Sequence, residues 1–334
     1  VLNTKELLTQ LSNLDGPSGF ETLVLDVIEP ILAKVCDRTW RNRVGTLVGE
    51  KKGSGKKKVG IFAHVDEIGL VVARVEEGNF LRLETVGGVD PKVLLAQRVK
   101  VYTKKGIVSG IVGTLPPHLQ KEEHRARFPD YDKIFVDVSC DSSADKVRVG
   151  DVCVFDVKAM EINGKVCGKA LDNRASCVSL LLAAESLQKL KHESDVYFIF
   201  SSQEEINGPG AGSIAYELEL DEAIVVDVTH ANVKQSAFPT IKLGEGPALA
   251  VGPAIDPEFY KRAVEVAQRN GVKTQIEPIP ARSGTDTDQV QITRIGVRTL
   301  LVSIPLMYMH TPIEVVDPKD VEETSRLLAL IVAE

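Results

Sequence analysis

Long apolar runs are missing from this 334-residue chain: none reaches the roughly 18 to 20 residues that a membrane-spanning helix needs. No membrane partner is therefore expected. Basic charge is in deficit, with 40 Lys and Arg against 47 Asp and Glu and a net charge of −7. A global positive field that would draw nucleic acid or an anionic surface is thereby excluded. Cysteine is sparse. The five residues Cys36, Cys140, Cys153, Cys167 and Cys177 are odd in number, widely spread and without a C-x-x-C pair. That pattern predicts free thiols in a reducing compartment, the cytoplasm, rather than a disulfide framework. The first residues lack the basic-then-apolar pattern of a secretory signal and read as an amphipathic helix. Two catalytic signatures are also missing: there is no G-x-S-x-G, and Gly244-Glu245-Gly246-Pro247 is a turn rather than a phosphate cradle.

What is present is a sizeable core, with hydrophobic residues at 43%, and a change of texture along the chain. Helical and strand patterns alternate up to residue 68. From 69 to 158, short β-rich runs separated by Gly, Asp and Lys turns replace them, the pattern of a small barrel or sandwich. Within that stretch, residues 116–131 are highly charged and read as a mobile loop carrying His118 and His124. From 159 to 334 the alternation returns, with helices expected over 175–190, 212–217, 257–270 and 318–332. Strands are expected over 195–201, 222–228 and 298–304. The expected fold is α/β, a mixed, mostly parallel sheet flanked by helices, with an inserted small β-barrel-like domain. Its boundaries would be 1–68 and 159–334 for a catalytic domain and 69–158 for the insertion.

Polar clusters stand at the ends of the apolar strands, where open α/β sheets build their sites. They are His64-Val65-Asp66, Asp172-Asn173, Glu204-Glu205, Asp227 and His310. Taken singly, each has a plain structural reading: a satisfied histidine, a helix cap or a solvated carboxylate pair. Jointly they do not, because carboxylates leaving buried strands are costly unless a cation compensates them. Nitrogen and oxygen donors without thiolate suit Zn²⁺, Co²⁺ or Mn²⁺ in a catalytic site. Four carboxylates also match the charge of two divalent ions, the arrangement of two-metal hydrolases. Asp66 lies on the same side of the strand end as His64 and can orient its imidazole.

The clusters occur within AHVDEIGL, GKALDNRAS, SSQEEINGPGA, VVDVTHA, SGTDTD and YMHTPIEVV. In that order, and together with DGPSGFE near the start, they resemble the motif series of the TET-type aminopeptidases. That family includes glutamyl and deblocking aminopeptidases and proteins once labelled endoglucanases. The resemblance covers essentially the whole chain. It implies a metal-dependent aminopeptidase that removes N-terminal residues from short peptides using two divalent ions per subunit. It further implies that Asp172 bridges both ions, that His64 and Asp227 complete one site, and that Glu205 and His310 complete the other. Glu204 would be the general base and Asp66 the support of His64. A strained or cis Asp172-Asn173 peptide is a further expectation.

The insertion would serve oligomerisation, in a homo-oligomer of twelve subunits built from dimers. Competing readings are a related two-metal carboxypeptidase, dipeptidase or amide deacylase, a metal-free glycosidase, and a non-catalytic scaffold of the same fold. His230 is expected to be a loop histidine and Arg282 and Arg298 surface arginines. Ser283 to Asp288 is balanced between a hydrogen-bonded turn and a pocket motif.

Overall fold

The computed structural model describes residues 2–120, 122, 127–233 and 240–334, so His124 and part of the charged loop lie outside the described residues. Two compact units emerge. One comprises Val1–Glu67, Ala159–Met309 and Ile313–Glu334; the other comprises Ile68–Lys158 with His310–Pro312.

The larger unit is built on an eleven-stranded sheet among the described residues. Its centre is parallel: β12 (Asp195–Ser201), β3 (Lys58–His64), β13 (Glu222–His230) and β16 (Arg298–Met307) lie side by side. These strands are apolar on both faces, as Val59, Ile61, Phe62, Phe198, Ile224 and Val302 show by their complete or near-complete burial. A strand covered on both faces has to read that way. Antiparallel wings extend the sheet through β2 (Leu47–Lys51) and β1 (Arg38–Arg41) on one side. On the other, β17 (Glu314–Val316), β11 (Lys165–Gly168) and β10 (Met160–Ile162) follow β16. A short branch, β14 (Ala248–Val251) and β15 (Gln275–Pro278), also leaves β16. The sequence pattern marked the long parallel strands; three- and four-residue strands such as β10, β15 and β17 are too short to show a period.

Helix α3 (Leu171–Leu187) packs against β3 and β13 and against α1 (Thr4–Ser12) and α7 (Pro318–Ala333). Its interior from Ala175 to Ala184 is buried all round, which is why its sequence carries almost no amphipathic contrast. Helix α5 (Pro257–Arg269) packs on α7 and on β14 and β16. It is capped by Asp256, whose carboxylate accepts the Phe259 N–H at 2.8 Å. Helix α4 (Pro209–Leu218) starts where Gly210 passes under β12: a Cβ there would lie 2.2 Å from the Ser202 carbonyl oxygen.

The second unit is a closed barrel of β4 (Gly69–Glu76), β5 (Phe80–Val86), β8 (Phe135–Asp137), β7 (Gly106–Gly113), β6 (Arg98–Thr103) and β9 (Val152–Phe155). Its own core of Leu70, Val72, Leu81, Val99, Val101, Val108, Val136 and Phe155 fills the interior. Closure removes the free edges that short strands would otherwise expose. No helix among the described residues is long and apolar enough to cross a membrane.

Candidate metal centre

A single row of side chains crosses the carboxyl ends of the central strands. Ser201 of β12 is in register with His64 of β3, and Asp227 of β13 with Ser303 of β16. The β3–β13 register, which pairs Val225 with Phe62, continued by two residues sets Asp227 beside His64. Neighbouring residues in register share a face of the sheet, so Ser201, His64, Asp227 and Ser303 stand on one side.

Carboxylates close around the imidazole in the middle of that row. His64 Nε2 is 3.2 Å from Asp172 Oδ1 and 3.8 Å from both Glu204 Oε2 and Asp227 Oδ1. One donor atom from each of His64, Asp172 and Glu205 lies within 4.8 Å of the other two. His64, Asp66, Asp172 and Asp227 are buried, and Glu204 and Glu205 half-buried.

Each side chain is delivered by a different local device. Asp172 stands at the entry to α3, before regular helical geometry begins, and the Asp172–Asn173 peptide is cis. Its backbone N–H donates to Glu314 Oε2 at 3.0 Å, and Asn173 Nδ2 donates to the Val226 carbonyl at 2.9 Å. The α3 entry is thereby tied to β17 and β13. Glu204 and Glu205 belong to a one-turn 3-10 helix, Glu204–Ile206, entered through the left-handed Gln203.

Asp66 does more than support the imidazole. Its Oδ1 lies 3.4 Å from His64 Nδ1 and accepts the Glu204 N–H at 3.0 Å. Its Oδ2 accepts the Glu205 N–H at 3.1 Å and the Ser18 hydroxyl at 2.6 Å. One carboxylate thus fixes the imidazole and the backbone carrying both glutamates. Ser18 lies in the DGPSGFE stretch, and nothing in its local sequence reveals that partner 48 residues away.

The electrostatics are those of an anionic nest. Burial, reinforced by Asp227, Asp286 and Glu205 and opposed by His64, pushes the Glu204 carboxyl up to about 10. Burial likewise raises Asp227 well above the usual carboxylate range. Burial opposes a charged His64, yet Asp172 and Asp66 win and raise it. Asp66 is held low: His64, Ser18 and the Glu204 N–H overcome the cost of its burial. Carboxylates forced toward neutrality by crowding are the environment that a divalent cation relieves, and the oxygen and nitrogen donors present fit one.

Both ends of the row carry a further carboxylate. Ser201 Oγ donates to Asp286 Oδ2 at 2.5 Å, and Ser303 Oγ donates to Glu277 Oε2 at 2.5 Å. Asp286 is buried, its Oδ1 has no hydrogen-bond partner among the described residues, and burial moves its carboxyl up to about 7. Ser283 and Asp288 form local turn hydrogen bonds, so the SGTDTD stretch supplies both a turn and a buried acid. Sequence reading singled out neither Asp286 within that stretch nor Glu277.

A buried ion network lies beneath the His64–Asp66 segment. Lys169 Nζ reaches Glu67 Oε2 at 2.7 Å and Asp15 Oδ1 at 3.1 Å, and Arg174 Nε donates to the Val65 carbonyl at 2.6 Å.

His310 groups with the barrel unit, where its Nδ1 is 3.0 Å from the Gly88 carbonyl oxygen. A Cβ on Gly88 would lie 2.5 Å from that nitrogen. His230 and His118 are exposed. Arg298 pairs with Glu222 at 3.3 Å at the opposite ends of the strands, and Arg282 is largely exposed.

Comparison with known proteins adds the context. The profile of the M42 glutamyl aminopeptidase family matches residues 45–327. A lysyl aminopeptidase from Pyrococcus furiosus is 35% identical over 98% of this chain and 96% of its own length. A solved structure described as a peptidase or endoglucanase is 48% identical, with a TM-score of 0.83 over 100% of this chain and 99% of that one. The TET1 peptidase of Pyrococcus horikoshii, described as assembling into a tetrahedron or a large octahedral shell, is 27% identical. Its TM-score is 0.86 over 99% of each chain.

Proposed function

Because the chain belongs to the M42 glutamyl aminopeptidase family, we propose that it is a metal-dependent aminopeptidase that removes N-terminal residues from short peptides. The observation that carries the reading is the convergence of His64, Asp172 and Glu205 donor atoms within 4.8 Å, with Glu204 and Asp227 against the same imidazole.

In this reading His64, Asp172, Glu205, Asp227 and His310 would hold two divalent cations, zinc, cobalt or manganese, with Asp172 shared between them, His64 and Asp227 serving one and Glu205 and His310 the other. His310 enters on its motif alone. When bound, such a pair polarises the scissile carbonyl and lowers the pKa of a shared water. Glu204 stands outside that ligand set with its Oε2 3.8 Å from His64 Nε2, and bound cations would relieve the crowding that raises its carboxyl and let it act as base. It takes the proton of the attacking water and returns it to the leaving amine nitrogen. Asp66 orients His64 and holds the Glu204 and Glu205 backbone, so the base and one ligand keep a fixed spacing.

The P. horikoshii relative supports a homo-oligomer, and the tetrahedral dodecamer with the barrel as its assembly domain is part of the proposal. Five free cysteines support a reducing, cytoplasmic setting.

The deciding experiment compares wild type with Glu204→Gln on a free-amine peptide and on its N-acetylated twin, with Zn²⁺, Co²⁺ or Mn²⁺ supplied. Wild type cuts only the free-amine peptide. The variant loses about 1,000-fold or more in kcat while still binding metal, as expected for a general base. Equal cleavage of the acetylated peptide would overturn the aminopeptidase reading in favour of a deacylase or endo-acting enzyme. An unchanged rate in Glu204→Gln would remove Glu204 as the base.

A further inference from the structure

Three consecutive backbone N–H groups beyond the end of β12 point at carboxylates. Those of Glu204 and Glu205 go to Asp66, and the N–H of Gln203, just ahead of them, goes to Glu21 Oε1 at 3.1 Å. The run begins with Gln203 in the left-handed region, at φ 62° and ψ 32°, and passes into the Glu204–Ile206 turn. Successive N–H groups in such a turn face one side and form a concavity that takes anions. Here two of the chain's own carboxylates occupy it.

Glu21, the last residue of the DGPSGFE stretch, is 5% exposed. Its backbone carbonyl accepts the N–H groups of Val24 and Leu25 at the start of α2 (Thr22–Leu32). That helix is rooted in the core through Val24, Leu25, Ile28 and Leu32, so the Glu21 side chain projects from a fixed base. The same Oε1 also accepts the Gly19 N–H at 2.7 Å, and Gly19 adjoins Ser18, the hydroxyl donor to Asp66. A residue other than glycine stays left-handed only where contacts offset the steric cost. For Gln203 one such contact is the Gly208 N–H, which donates to its carbonyl at 2.9 Å; the other is Glu21 on its N–H side.

We propose that Glu21 is a positioning residue for the candidate base: by accepting the Gln203 N–H it holds that residue left-handed and so aims the Glu204 carboxylate. The inference rests on the aminopeptidase reading with Glu204 as base. A side chain that binds a cation is held by the cation as well as by its backbone. Glu204, outside the ligand set in that reading, has its backbone alone to fix it. Loss of Glu21 therefore falls on proton transfer more than on metal binding. Glu21 acts through the backbone and not on the reacting atoms.

The test measures kcat, KM and metal affinity on a free-amine peptide for Glu21→Ala and Glu21→Gln, each alone and combined with Glu204→Gln. Glu21→Ala should lower kcat about 10- to 100-fold, the loss that follows from misplacing a catalytic group by about 1 Å, with KM and metal affinity moved less than about threefold. Glu21→Gln keeps an oxygen that accepts the same two N–H groups and should restore kcat to within about threefold of wild type. In the Glu204→Gln background Glu21→Ala should cost almost nothing further, because residues that act as one unit are not additive. If Glu21→Ala does not fold, Glu21→Asp, which draws the acceptor back by one methylene, takes its place with a smaller loss and the same dependence on Glu204. An unchanged kcat, a loss of equal size with and without Glu204, a matching loss of metal affinity, or a Glu21→Gln no better than Glu21→Ala overturns this inference and leaves the aminopeptidase reading standing. An unchanged rate in Glu204→Gln alone, or no turnover by wild type with any of the metals, overturns that reading, and the inference falls with it.

Discussion

At the scale of single residues, the organising atom pair is the Asp66 carboxylate. It meets His64 on one side and receives the N–H groups of Glu204 and Glu205 and the Ser18 hydroxyl on the other. Asp66→Asn keeps the size but replaces one accepting oxygen with a donor, which would face N–H groups head on. Metal affinity should fall about 10- to 100-fold, as for other residues that orient a metal-bound histidine. Competition against a fluorescent chelator measures it; an affinity unchanged from wild type would make Asp66 a spectator. The closeness of His64 and Asp66 was readable in the sequence because both sit at one strand end. Ser18, Asp286 and Glu277 were not, since their partners lie 48, 85 and 26 residues away. A hydrogen bond across that distance leaves no local pattern.

At the scale of elements, the β3-to-Glu67 segment is held to α3 through Lys169, which is 2% exposed and paired with Glu67 and Asp15. Lys169→Met would keep the apolar stem but remove the ammonium nearest the buried Glu67 and Asp15 carboxylates, leaving Glu67 with the more distant Arg174 at 3.9 Å. A loss of about 3 to 5 kcal/mol is expected, the usual cost of breaking one side of a buried pair. Urea unfolding of the metal-free protein checks this without interference from the site. The approach of α4 to β12 sets a second limit. Gly210→Ala places a methyl against the Ser202 carbonyl, which is backbone and cannot move aside alone. The Glu204–Ile206 turn lies between those two positions, so this substitution should lower kcat as well as thermal stability. A variant with a lowered melting temperature and full kcat would show that the turn is held independently of α4.

At the scale of the whole molecule, the anionic nest couples metal binding to folding. Removing divalent ions leaves Glu204 and Asp227 raised by burial and mutual repulsion, so the folded state loses the stabilisation that bound ligand supplies. That stabilisation amounts to about 4 kcal/mol for a ligand at 1,000 times its dissociation constant. Chelation should therefore lower the unfolding temperature along with activity, and readdition should restore both; an unfolding temperature indifferent to chelator would argue against a bound cation. The thiols divide by burial. Cys153 and Cys177 are buried, and burial pushes Cys36 and Cys177 up to about 12, whereas Cys140 is exposed. A disulfide reagent should modify Cys140 first in the native protein, and Cys140→Ser should remove that fast phase.

The sequence by itself determined the parts that are local or periodic. Short apolar runs such as Val196–Phe200 and Ala223–Val226 marked the parallel strands, the change to short β-rich runs marked the barrel, and carboxylates and histidines at strand ends marked the candidate site. Each of these signals is contained in a few neighbouring residues, so it survives without knowledge of the fold. Only the tertiary structure decided how the parts meet. Register set Ser201, His64, Asp227 and Ser303 in one row, placed Asp286 and Glu277 at its ends, and grouped His310 with the barrel. Register depends on contacts between segments far apart in the chain, and the physical cost of an unpaired buried carboxylate becomes visible only once those contacts are known.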